Sequence, residues 1–258
     1  MFSEVALSDV IVAGGLTLLA VVHSILGEAG ILAPLFRQDW QVDEPRWAVE
    51  RILRFAWHLT SIAWLALAAI VVGADLLGVV AAFAAVSAAI IFVMLRGHLA
   101  WPLFLLVALA AARGAGLVEG GALQVAAGGA AVALLLASAL HVYWALGGRW
   151  IFDIAAPPIE PGARFSQPGR LLTLAVAGAL AAFSALTTAV ALNRGPAQLE
   201  VLLWIGVGVL TVRAIGDTKA IGFSKTDRSS AFAQADDRWF SQIVVFLALG
   251  VSAAGLLG

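Results

Sequence analysis

Titratable side chains are scarce in this sequence, and those that could do chemistry gather near the ends of apolar segments. The four His are His23, His58, His98 and His141. An imidazole near neutrality can take or give a proton at cytoplasmic pH, which makes His58 or His23 a candidate general acid or base. Arg51, Arg54, His58 and Ser61 follow one another at three or four residues and so share one helix face. Arg51 and Arg170 read as anchors that snorkel to the headgroups, whereas Arg54 stands one turn deeper and needs a partner. Glu28, which ends the run from His23, and Glu50 are the candidates. A guanidinium held there suits a phosphate or a carboxylate. Arg213 and Asp217 stand four apart and are spaced for a local ion pair. The candidate binding residues are therefore His23, Glu28, Arg54, His58, His141, Arg213 and Asp217.

His23 and His141 occupy nearly equivalent places in the two halves of the chain. One His on each of two helices at equal depth is what bis-His heme ligation requires, so heme through His23, His58 or His141 is the cofactor reading that stays open. Neither His23 nor His141 has a carboxylate three or four residues away to complete a metal box, and no metal site is expected. The sequence has no Cys, which removes disulfides, thiolate ligands and a Cys nucleophile. No nucleophile elbow, P-loop, HExxH helix or dinucleotide fingerprint occurs. Runs such as Ala127-Gly128-Gly129-Ala130 and Gly206-Val207-Gly208 mark close helix packing rather than phosphate loops.

The elements that must position these residues follow from composition. Of 258 residues, 62% are hydrophobic and only 12% charged, with a mean hydropathy of +1.00. That is more apolar surface than a water-soluble domain could bury, so the lipid bilayer is the solvent. A span needs about 20 mostly apolar residues because every backbone amide must be bonded inside the segment. The pattern predicts an all-α polytopic membrane protein with eight spans near 9–31, 51–73, 76–96, 99–116, 122–146, 170–192, 198–216 and 239–257. Arg96, Gly97 and His98 alone separate the third from the fourth. The net charge of -1 excludes a nucleic-acid partner, which needs a basic face. Glu4 and Asp9 stand where a secretory signal would carry cations, so the first segment is expected to remain as a helix.

Orientation comes from the loops. Of the 15 Lys and Arg, all but Arg113 and Arg194 fall in or beside the odd-numbered connections. The positive-inside rule then places those connections in the cytoplasm and both termini on the other side. Of the nine Trp, all but Trp64 and Trp204 lie at the same ends, where an indole prefers the headgroup region. Aligning Arg51 with Arg170 sets RILRFAWHLTSIAWLALAAIV beside RLLTLAVAGALAAFSALTTAV without a gap. His23 and His141, and Arg96 and Arg213, keep nearly equal distances from those two Arg. The chain therefore reads as two parallel four-helix repeats, 1–118 and 119–258, the second with a longer last cytoplasmic loop; any central site is expected between them.

HVYWALGG at His141 to Gly148, RAIGDTKAIGFSK at Arg213 to Lys225 and FAQADDRWFSQ at Phe232 to Gln242 carry a family resemblance. They resemble a domain-of-unknown-function family of small four-span bacterial membrane proteins. The resemblance covers the second half, and the first half looks like a diverged copy. In the family pattern a Ser-Pro pair starts the final helix; here Ser241 is followed by Gln242, while the first half keeps Pro102. The resemblance implies a fold and a bacterial inner membrane, and no activity.

Three functions fit. One is transport or binding of a small or amphipathic, anionic molecule at a cytoplasm-facing His and Arg site. Another is a membrane-embedded enzyme acting on a lipid or quinone-like substrate. The third is an accessory subunit with a partner in a larger membrane complex. The connection from Thr218 to Asp237 is either a lid over such a site or a solvated loop.

Overall fold

The computed structural model describes residues 6–41, 45–94, 100–155, 169–194, 196–217, 219–226 and 228–257. Arg96, Gly97, His98 and Arg164 lie outside them. Eight main helices follow in order: α1 (Leu7–Arg37), α2 (Arg46–Val71), α3 (Leu76–Met94), α4 (Ala100–Gly114), α5 (Gly120–Ala145), α6 (Arg170–Ala191), α7 (Gln198–Ile215) and α8 (Ala231–Gly255). A single turn of helix, Phe152–Ala155, follows α5. Among the described residues there is no strand.

All but α4 are long and apolar enough to cross a membrane. The fourth expected span, 99–116, is described as α4 over 15 residues from Ala100 to Gly114, about 22 Å at 1.5 Å per residue, against a core of about 30 Å. Two helices are longer than expected. A π turn at Glu28–Leu32 carries α1 on to Arg37, and another at Asp236–Phe240 joins α8 to the turn that begins at Ala231. Each π turn fits an extra residue into the helix instead of ending it. The last part of the connection read as a loop up to Asp237, from Ala231 on, is thus the start of α8.

The chain divides into two compact units, Met1–Leu117 and Val118–Gly258. In unit 1, α1 packs along α2, α2 against α3, and α3 along α4. In unit 2, α5 packs along α6, and α8 lies against α5, α6 and α7 to close the bundle. The core of unit 2 is built of small and branched residues, among them Ala127, Ala130, Leu134, Leu203, Val207, Val251 and Ala254. Small side chains let helices approach closely where lipid is as apolar as the helices themselves. Leu171 and Val125 are exposed, which in a bilayer sets them against acyl chains.

In unit 1 the equivalent close approach is at Gly27. A methyl group added there would sit 1.8 Å from the Trp57 indole nitrogen, and that indole donates to the His23 carbonyl at 3.1 Å. Gly27 therefore sets the separation of α1 and α2. Gly27→Ala should destabilise the protein by about 1–3 kcal/mol through overpacking; a lowered unfolding temperature in detergent is the expected readout, with Gly30→Ala, where the added methyl meets open space, as the comparison.

Candidate functional site

The stripe on α2 meets the end of α1. Arg54 Nε donates to both Glu28 oxygens, at 3.0 and 3.2 Å. Its guanidinium also stacks over the Phe36 ring, 4.7 Å from the centroid. Of the two carboxylates open to Arg54, Glu50 is taken by Arg46 at 2.9 Å. Arg46 in turn holds the end of α1 through the Phe36 and Gln38 carbonyls. Arg51 donates to the Met94 carbonyl at the end of α3, and Arg170 to the Ala145 carbonyl at the end of α5. Both therefore tie helix ends together.

His58 lies between charge and hydroxyl. Its Nε2 is 3.5 Å from Glu28 Oε2, its Nδ1 is 3.0 Å from Ser24 Oγ, and Ser24 Oγ is 2.9 Å from Ser61 Oγ. The spacing explains the meeting. Ser24 and Glu28 are one turn apart on α1, and Arg54, His58 and Ser61 lie on one face of α2. Two complete bonding schemes fit these positions. With a neutral ring, Nε2–H faces the carboxylate and Nδ1 accepts from Ser24, which accepts from Ser61. With an imidazolium, Nδ1–H donates to Ser24, which donates to Ser61. Gaining one proton reverses two hydroxyls and moves no heavy atom.

His23 belongs to this end of α1 but faces differently. Its ring stacks on Trp57 at 4.7 Å and meets the edge of Trp64 at 5.0 Å. Its Nε2 is buried with no hydrogen-bond partner among the described residues. In unit 2, His141 Nδ1 is 2.8 Å from the Ala137 carbonyl one turn back and so carries the proton as donor; Trp144 meets its ring edge-on at 5.0 Å. Among the described residues, no group of three or more His, Asp or Glu gathers as metal ligands.

The ion pair expected between Arg213 and Asp217 is replaced by two other contacts. Arg213 reaches across to Asp236 at 2.9 Å. Asp217 turns back on its own loop, where Oδ1 accepts from the amides of Lys219, Ala220 and Ile221 at 3.0, 2.8 and 2.9 Å. The Ile221 amide has the largest influence on this carboxyl, slight burial opposes it, and the Ala220 and Lys219 amides add to it; the net effect lowers it from 3.8. Gly216 and Gly222, at φ +97 and +80, press face to face and close this loop. A methyl on Gly216 would lie 1.7 Å from the Ile221 carbonyl oxygen.

That loop delivers Lys225 into the bundle. Lys225 Nζ, with no exposed side-chain surface, donates to Asp236 Oδ2 at 2.9 Å, to Asp237 Oδ1 at 2.6 Å and to the Gly222 carbonyl at 3.0 Å. Asp236, equally buried, accepts as well from Arg213, the Gly222 amide and Ser241. Arg228 completes the group on Asp237 at 2.8 Å. The π turn at Asp236–Phe240 carries both Asp into reach. Of the candidate residues, the structure gathers Glu28, Arg54 and His58 together with His23 nearby, and assigns Arg213, Asp217 and His141 to separate places in unit 2. Ser24, Lys225 and Asp236 were not among the candidates. The spacing of Ser24 and Glu28 was a usable signal, whereas nothing local to Lys225 announces a partner eleven residues on.

Fold and site define a multi-pass α-helical membrane protein with a polar contact of Glu28, Arg54 and His58 between α1 and α2 in unit 1 and a buried ionic cluster in unit 2. The sequence model of the family described as Protein of unknown function (DUF3995) matches residues 134–252. That stretch includes the motifs at His141, Arg213 and Phe232. No curated protein and no solved structure matches the chain.

Two outcomes follow from unit 2. Asp236→Ala removes the Arg213 partner and one of the two carboxylates on buried Lys225, and should cost about 3–5 kcal/mol, measured as loss of folded protein in detergent. Asp217 has a lowered folded-state value, so its contribution is complete above 3.8 and is lost as pH falls through the lowered value. Asp217→Asn should therefore unfold at a lower temperature than the parent at pH 7, and the difference should shrink as the pH is taken through and below that window.

Proposed function

We propose that the cluster at Arg54, Glu28 and His58 binds the anionic headgroup of a small or amphipathic molecule together with a proton, as one step in moving or presenting that molecule. Loop charge and Trp placement support a cytoplasm-facing position for it in a bacterial inner membrane, with both termini on the far side. The observation that carries the reading is how Arg54 is used. Its Nε is committed to Glu28, while Nη1 and Nη2 have no hydrogen-bond partner among the described residues and the side chain is 36% exposed. A guanidinium fixed at one edge and open at the other is pre-organised for a carboxylate or phosphate.

Charge arithmetic adds the proton. With His58 neutral, the Arg54 and Glu28 charges cancel; with His58 protonated, the trio is positive and takes an anion. The sparse polar residues elsewhere in the spans support an amphipathic ligand entering from the leaflet rather than a water-filled path. The halves of the chain are further proposed to derive from one four-span unit.

A long-chain carboxylate is a suitable probe, titrated calorimetrically into the detergent-solubilised protein at pH 6 and pH 8. Binding should be tighter at pH 6, Arg54→Gln should weaken it about tenfold or more, and His58→Gln should abolish the pH difference. Equal binding by the parent and Arg54→Gln would refute the reading.

A second reading is favoured by the same contact. Ser24, His58 and Glu28 stand in the order nucleophile, base and orienting acid, so an acyl transfer on a lipid ester is the competing function. Ser24 Oγ would attack the carbonyl as its proton passes to His58 Nδ1, the leaving alkoxide would take that proton, and water would release the acyl group. Covalent labelling by a fluorophosphonate probe in the parent and its loss in Ser24→Ala would establish this reading; an unlabelled parent would remove it.

A further inference from the structure

The end of α5 is built around two glycines. Gly147, at φ +100, donates to the Trp144 carbonyl, and Gly148 to the Tyr143 carbonyl at 2.9 Å. This turns the chain sharply back on the helix, as glycine permits at a helix C-terminus. A methyl on Gly148 would lie 2.2 Å from the Tyr143 ring, so the return passes hard against that ring. The returning segment is pinned by the Trp144 indole, which donates to the Trp150 carbonyl at 2.9 Å and meets Phe152 at 5.6 Å.

Two openings flank this turn, both within unit 2. One is a cleft of about 220 Å³ lined by Trp144, Arg149, Phe152, Arg170 and Thr173, along with the turn's glycines. Its lining includes two cations, Arg149 and Arg170. Arg170 Nε is fixed on the Ala145 carbonyl at 2.8 Å, and its Nη atoms have no protein partner among the described residues. Arg170 also begins α6, whose cap Gly169 offers no side chain to the first-turn amides. The other opening is a groove of about 650 Å³ lined by Leu136, Ala137, Leu140, Tyr143, Trp150 and Ile151, almost wholly apolar. Leu136, Leu140 and Tyr143 form one face of α5.

A basic cleft alone would suit any phosphate, and an apolar groove alone would be covered by any lipid. Their meeting at one turn, where Tyr143, Trp150 and Ile151 line the groove and Gly147, Gly148 and Arg149 the cleft, selects a molecule having both parts. We infer that unit 2 holds one anionic phospholipid of the surrounding bilayer, its phosphate in the cleft between Arg149 and Arg170 and an acyl chain in the groove along α5. The site is independent of the reading given for unit 1.

The test uses the full chain in a mild non-ionic detergent, with native mass spectrometry counting retained lipid. Phosphatidylglycerol and phosphatidylcholine of the same acyl chains are compared, with inorganic phosphate as competitor. The parent should retain one phosphatidylglycerol in preference to phosphatidylcholine, and millimolar phosphate should not displace it. Arg170→Gln should weaken retention about tenfold, and Ala137→Phe, which fills the groove without touching the cations, should do so too. Arg37→Gln, an exposed cation of unit 1, should behave as the parent. Equal retention of the two lipids, unchanged retention in both site variants, or displacement by phosphate alone would overturn the proposal. If Arg170→Gln does not fold, Ala137→Phe with Arg149→Gln decides the matter by the same readout.

Discussion

A carboxylate without exposed surface persists in an apolar bundle only when cations and donors replace the water it has lost. Unit 2 is arranged to meet that demand at Asp236. Arg213 comes from the end of α7, Lys225 and the Gly222 amide from the loop, and Ser241 from the next turn of α8. The loop takes its shape from the same requirement. Gly216 and Gly222 must pack face to face for Lys225 to arrive, and Asp217 must hold the turn between them by accepting three amides. The three motifs at Gly216, Lys225 and Asp236 are parts of one clamp between α7 and α8.

Unit 1 solves the corresponding problem less completely. Glu28 is neutralised by Arg54 and faces His58, yet all three side chains keep about a third of their surface exposed. On the proposed reading, that difference separates a structural cluster from a site. In unit 2 the three donors of Lys225 are all spent within the protein, while in unit 1 the outer edge of Arg54 is not. The His58, Ser24 and Ser61 chain tolerates either protonation state of the ring without rearrangement. A polar contact of this kind, open at one edge and adaptable in charge, can exchange partners with a ligand.

Particular residues show how far the sequence could be read. That Arg54 pairs with a carboxylate was legible because an Arg one turn too deep to snorkel needs a partner, and Glu28 and Glu50 both stood in reach; the structure chose Glu28. The face shared by Arg54, His58 and Ser61 was legible from helical periodicity alone. The pairing of Arg213 was not. Four-residue spacing pointed to Asp217, but a loop closed by two glycines drew Asp217 into its own backbone and left Arg213 to a carboxylate on another helix. Nothing in its residue type separates Ser24 from a hydroxyl that bonds to its own helix, as Thr17 does to the Ala13 carbonyl.

The sequence by itself determined that this chain is a multi-pass helical membrane protein, because the need to bond every amide in lipid admits only helices for apolar segments of this length. It also marked which end of each helix is charged and where glycine allows close packing. The tertiary structure decided everything that depends on one helix meeting another: that π turns extend α1 and α8, that Asp236 is the centre of unit 2, and that Ser24 completes the chain at His58. Local periodicity fixes which face a residue occupies. Only packing fixes what that face touches, because partners far apart in sequence are chosen by shape and charge together.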